Sequence, residues 1–204
     1  MDRLFKAASL SIFLLLNFSC SQTPAKRVSK IIVFGDSLTF GTGAKKSKSY
    51  PRNLAKLTGI KIANAGVPGN TVCQAEARLD AVLEKHGPAD LVIATIGGND
   101  ITKRVPKENS YRCMNSILKK VKNKGASFLL LAIRPPFVNK KRLNKLEEIV
   151  EEHGQHVHEK IMKGFWLDKS LMADSIHPNA KGYKIMAERV YETLTYLNFQ
   201  FESR

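Results

Sequence analysis

The chain has 204 residues, 43% of them hydrophobic and 25% charged, enough to enclose one α/β core and too apolar for a disordered polypeptide. The formal charge of +15 is concentrated at Lys45, Lys46 and Lys48, at Lys119, Lys120, Lys122 and Lys124, and at Lys140, Lys141, Arg142 and Lys145. None of these clusters is interleaved with stacking aromatics, which argues against a nucleic-acid partner and leaves solvated faces or attraction to anionic lipid.

Arg3 and Lys6 precede an apolar run from Ala7 to Phe18 that is too short to span a bilayer. That layout reads as an export signal over 1–19. Ser19 followed by Cys20 is similar to the bacterial lipoprotein signal, in which the cysteine is acylated. Asn17 stands where that pattern usually has Leu, so acylation of Cys20 competes with simple cleavage or a retained anchor. Residues 20–29 are polar, contain Pro24 and read as a tether. The folded domain is expected over 30–204, in an exported protein of the periplasm or outer membrane.

Lys30 to Phe34 is a β-branched run ending at Gly35 and reads as a buried strand. Tyr50 to Thr58 reads as a helix with Pro51 in its first turn. Ile60 to Ala63 is a second strand. Thr71 to His86 carries Val72, Ala75, Leu79, Val82 and Leu83 at helical spacing, and Gly87-Pro88 stops it. Leu91 to Ile96 is a strand covered on both faces. A helix over 110–124, a buried strand over 127–133, a helix over 144–153, an edge strand over 155–158 and a final helix over 181–197 complete the series. The alternation predicts a parallel sheet with helices on both faces, a three-layer α/β/α fold. In such sheets chemistry collects in the loops at the carboxyl ends of the strands.

Those loops hold the unusual residues. Gly35-Asp36-Ser37-Leu38 follows the first strand, and Asn64-Ala65-Gly66-Val67-Pro68-Gly69-Asn70 the second. Gly97-Gly98-Asn99-Asp100 follows the third. Asp174-Ser175-Ile176-His177-Pro178-Asn179 precedes the last helix. A serine hydroxyl needs a base to take its proton. Asp174 and His177, three residues apart, can share one turn in which His177 faces Ser37 while Asp174 orients the imidazole. Asp36 and Asp100 suit loop bracing through backbone N–H groups, and Asn64 a turn.

The four blocks, in this order and spacing, resemble the SGNH (GDSL) hydrolases, close to the bacterial thioesterase, lysophospholipase and arylesterase group. The resemblance runs from Ile31 to about Leu194. It implies a five-stranded sheet of flavodoxin-like order 2-1-3-4-5, with Ser37 as nucleophile and Asp174 and His177 as partners. It assigns the oxyanion hole to the N–H groups of Ser37 and Gly69 and the side-chain amide of Asn99. The implied activity is hydrolysis of carboxylic esters or thioesters through an acyl-serine, with no cofactor or metal, by a monomer acting on a small-molecule or lipid ester. A carbohydrate or peptidoglycan O-acetylesterase uses the same triad. A surface lipoprotein that only binds would not need it.

Phe40, Phe137, Phe165, Trp166 and Met172 are candidates for an acyl site or for the core. His153, His156 and His158 lack the carboxylate or cysteine that would complete a metal set and read as ordinary half-exposed histidines. Gly41-Thr42-Gly43 belongs to no phosphate-loop pattern. Cys73 and Cys113 start the helices after the second and third strands. The implied strand order makes those helices neighbours, so the two cysteines either bridge or remain buried thiols.

Overall fold

The structure, a computed structural model, describes residues 25–136 and 138–202. The leader over 1–19, the acylation candidate Cys20 and the aromatic candidate Phe137 lie outside the described residues. In chain order the elements are β1 (Lys26–Val28), β2 (Ile31–Gly35), α1 (Ser37–Phe40), α2 (Tyr50–Thr58), β3 (Ile62–Gly66), α3 (Val72–His86), β4 (Leu91–Thr95), α4 (Gly98–Thr102), α5 (Lys107–Asn123), β5 (Ser127–Leu131), α6 (Lys141–Glu152), β6 (His156–His158), α7 (Ala180–Tyr196) and β7 (Phe199–Phe201). Short 3-10 turns lie at Lys46–Lys48, Phe165–Leu167 and Lys169–Leu171.

The main sheet is parallel, in the order β3-β2-β4-β5-β6. Counted from Ile31 this is the expected 2-1-3-4-5. Because side chains alternate along a strand, each central strand feeds two cores. Ile31, Val33, Leu91, Ile93, Leu129 and Leu131 pack on the side of α2 and α7. Ile32, Phe34, Val92, Ala94, Phe128 and Leu130 pack under α3, α5 and α6.

The expected tether over 20–29 is corrected at its end. Lys26–Val28 is a strand that pairs in parallel with Phe199–Phe201, so the two ends of the described chain form a second small sheet. The physical reason is burial: Val28 and Phe199 are 1% and 4% exposed and sit in the core beside α7. A three-residue strand has too few alternations to show a period. Two helix starts also fall earlier than their apolar spacing suggests. The fifth helix begins at Lys107 behind Pro106 and the sixth at Lys141, because polar first turns carry no periodic signal.

The turn after β2 is shaped by Gly35, whose φ is +140°. A Cβ there would lie 2.0 Å from the carbonyl oxygen of Thr95 on the neighbouring strand, so the site takes only glycine. Among the described residues, no helix is long and apolar enough to cross a membrane.

Candidate active site

Ser37 opens α1 at the carboxyl end of the central strand β2. Asp36 caps that helix, its Oδ1 accepting from the Leu38 N–H at 3.0 Å. The segment before α7 folds back on itself through a Met172–Pro178 bridge and an Ala173 N–H donated to the His177 carbonyl at 2.8 Å. Asn179 ties it down, donating to the Ser170 and Met172 carbonyls and capping α7 through Oδ1.

That turn faces α1. His177 Nε2 lies 2.9 Å from Ser37 Oγ, and His177 Nδ1 lies 2.8 Å from Asp174 Oδ2. The other carboxylate oxygen of Asp174 accepts the N–H groups of Ile176 and His177, each at 2.7 Å. These backbone bonds and the imidazole hold the Asp174 carboxyl down at about 2. An ionised carboxylate only accepts, so the proton between the two side chains sits on Nδ1. Nε2 is then left to accept from the serine hydroxyl.

Gly69 has a φ of +78°, and its carbonyl is held by Lys103 Nζ at 2.7 Å. Asn99, the second residue of α4, donates its side-chain amide to the Asn70 carbonyl at 3.0 Å and to Asp36 Oδ2 at 3.3 Å. Sequence reasoning placed Asn99 beside Ser37 and did not foresee that both its amide hydrogens would already have acceptors. Asp36 is 5% exposed. Burial pushes its carboxyl up to about 7, against the pull of the Leu38 N–H, His177 and Thr95. Asp100 braces as expected, accepting the Val72 N–H at 3.0 Å and the Ser110 hydroxyl at 2.7 Å. Asn64 spans the Thr39 carbonyl and the Gly66 N–H.

A cleft of about 840 Å³ runs from Ser37 and Asn99 between α4, the segment after β5, α6 and the turns before α7. Phe165, Trp166 and Met172 line it, as do Ile101, Ile133, Pro135, Leu143 and Ile176, which sequence reasoning missed. Phe40 stands off the cleft, under the ammonium of Lys46. The histidine cluster is elsewhere. His153 bonds Asn115, His158 bonds Thr193, and His156 stacks edge-on against Phe199. Among the described residues, no group of three or more His, Cys, Asp or Glu is arranged to hold a metal ion. Cys73 and Cys113 are joined in a disulfide, their Cα atoms 5.1 Å apart.

The sequence model of the GDSL-like lipase/acylhydrolase family matches residues 33–185. The chain belongs to that family. It is 27% identical over 192 residues to an arylesterase of Vibrio mimicus, covering 88% of this chain and 95% of that one. It is 29% identical over 166 residues to thioesterase 1/protease 1/lysophospholipase L1 of Escherichia coli K12, covering 78% and 79%. The fold superposes on the psychrotrophic esterase EstA of Pseudoalteromonas sp., solved inhibited by monoethylphosphonate, with a TM-score of 0.74, 25% identity, and 83% and 99% of the two chains covered. As a GDSL/SGNH family member with these relatives, the chain is a serine hydrolase of ester bonds.

Proposed function

We propose that Ser37 is the nucleophile of this hydrolase, His177 its general base and Asp174 the carboxylate that orients the imidazole. The supporting observation is the hydrogen-bonded chain Asp174–His177–Ser37, with links of 2.8 and 2.9 Å. His177 takes the Ser37 proton as Oγ adds to the carbonyl carbon, then returns it to the leaving alcohol or thiol. A water activated by the same imidazole hydrolyses the acyl-serine. The N–H groups of Ser37 and Gly69 and the amide of Asn99 receive the oxyanion. The Asn99 hydrogen now shared with Asp36 at 3.3 Å is the more weakly held of the two and is the one the substrate oxygen would take.

The apolar walls of the cleft favour acyl chains longer than acetyl. This fits aryl esters, acyl thioesters and lysophospholipids better than an O-acetylated sugar, whose site would need polar walls. The apolar leader and the Cys73–Cys113 disulfide support export to an oxidising compartment, with Cys20 as the acylated anchor. Ser37→Ala should lose about 1000-fold or more of turnover on p-nitrophenyl esters while keeping its fold. A fluorophosphonate should label Ser37 in the wild type. Near-wild-type turnover in Ser37→Ala would end this reading. A rate that falls steadily from acetyl to octanoyl esters would end the long-acyl assignment.

A further inference from the structure

Arg78 sits in the middle of α3, at a position flanked by Ala75 and Leu79, both fully buried. Its guanidinium is half-buried and turns back onto the protein. Nε donates to Asn70 Oδ1 at 2.7 Å, Nη1 to the Ala65 carbonyl at 2.8 Å and Nη2 to the Gly35 carbonyl at 2.9 Å. The plane lies 4.4 Å from the ring of Phe34, which is fully buried. Three diverging donors in one rigid plane thus hold the carboxyl ends of β2 and β3 and the loop between β3 and α3.

Two of the three held atoms lie close in the chain to a proposed oxyanion donor. Gly35 is two residues before Ser37. Asn70 directly follows Gly69. The Asn70 carbonyl in turn accepts the Asn99 amide at 3.0 Å. The helix that presents Arg78 is itself registered at its start, by the Thr71–Gln74 capping box and by Asp100 on the Val72 N–H. Arg78 thus ties together the segments that carry Ser37 and Gly69, and the Asn70 carbonyl links Asn99 to them.

We propose that Arg78 is a positioning residue that sets the spacing of the oxyanion donors Ser37, Gly69 and Asn99, and so acts on the transition state without touching substrate. The proposal rests on the Ser37 reading above. An oxyanion hole works only when its donors stand about 3 Å from where the charge develops. Loops drift in the absence of such a tie, and a drift of an ångström weakens transition-state binding while leaving ground-state binding in the cleft intact. Lysine could supply the charge but a single point of contact, so charge alone would not restore the geometry.

The test uses the full chain, with turnover on p-nitrophenyl butyrate measured well below each variant's Tm. Wild-type protein is first labelled at Ser37 with a fluorophosphonate; absence of labelling would bring down the nucleophile reading and this proposal with it. With labelling established, Arg78→Gln and Arg78→Lys should each lose about 100-fold in kcat with KM within about threefold. Affinity for an alkyl boronic acid, which adds to the serine as a transition-state mimic, should fall in the same proportion as kcat. Millimolar guanidinium should restore part of the kcat of Arg78→Ala, and ammonium should not. A purely structural role would lower Tm yet leave kcat per folded molecule unchanged, and that result would overturn the proposal alone. If the Arg78 variants do not fold, Asn70→Ala removes one of the three contacts from an accessible loop. It should lower kcat about tenfold at constant KM, and an unchanged kcat there would equally overturn the proposal.

Discussion

His177 Nε2 and Ser37 Oγ stand 2.9 Å apart although 140 residues separate them along the chain. The pair depends on Asp174, whose carboxyl is held at about 2 by two backbone N–H groups and the imidazole. Asp174 therefore stays ionised across the working range and adds no limb to the pH–rate profile above about pH 4. Its folded pKa is depressed, so its contribution to stability is present above about pH 4 and is lost as pH falls toward 2. With its side chain 53% exposed, that contribution is small. Asp174→Asn should cost about 10⁴-fold in kcat with little change in Tm, because the neutral amide no longer fixes the imidazole tautomer. Steady-state kinetics with thermal unfolding of the same sample checks both halves.

Asp36 should behave in the opposite sense. Its carboxyl is raised to about 7, burial being the largest cause. Between about pH 4 and 7 the folded chain binds a proton that the unfolded chain does not, so the burial penalty grows as pH rises through that window. Asp36→Asn removes it, and its stability relative to wild type should increase from pH 4 to pH 8 by at most on the order of 4 kcal/mol. The same change sets an amide donor against the Asn99 amide, so kcat should fall. Urea unfolding of both proteins at several pH values measures the difference. A gap that does not vary with pH would show that Asp36 is not the group responsible.

Gly35→Ala should be poorly tolerated. The new methyl would meet the Thr95 carbonyl, and the positive φ would be strained. A cost on the order of 3 kcal/mol is expected. Turnover should drop as well, because the displaced segment carries Asp36 and Ser37. Urea midpoints and p-nitrophenyl butyrate turnover would both have to stay at wild-type values for this account to be wrong.

The Cys73–Cys113 disulfide closes a separation of 40 residues, which corresponds to roughly 3–4 kcal/mol of stability by loop entropy. Cys73→Ser with Cys113→Ser, or reduction, should lower Tm by roughly 10 °C. Two alkylatable thiols in protein purified without reductant would contradict the bridge.

Much of the fold is legible in the residues themselves. The continuous apolar strands Ile31–Gly35 and Leu91–Thr95 announce a two-sided parallel sheet, and the Tyr50–Thr58 helix is bounded by Pro51 and Gly59. Asp174 and His177 can be paired from spacing alone, since one turn is a local structure. What stayed hidden has no local period. The β1–β7 pairing joins residues at opposite ends of the chain, and each strand is only three residues long. Arg78 reads in sequence as one charged residue within an apolar spacing. The signal that could have flagged it is its place between two core positions.

By itself the sequence determined the alternation of strand and helix, the four loops that gather at one sheet edge, and the residue types those loops carry. These follow from burial periodicity and residue type, which are properties of short segments. Only the tertiary structure decided that Arg78 grips the carboxyl ends of β2 and β3 and the loop after β3, and that Asn99 is held between Asn70 and Asp36. It also decided that Cys73 meets Cys113 and that Ile101, Ile133 and Leu143 wall the cleft beside Ser37. Each of these is a contact between segments distant in sequence. Such contacts are set by how whole elements pack on the sheet, and packing geometry is not encoded in any local window.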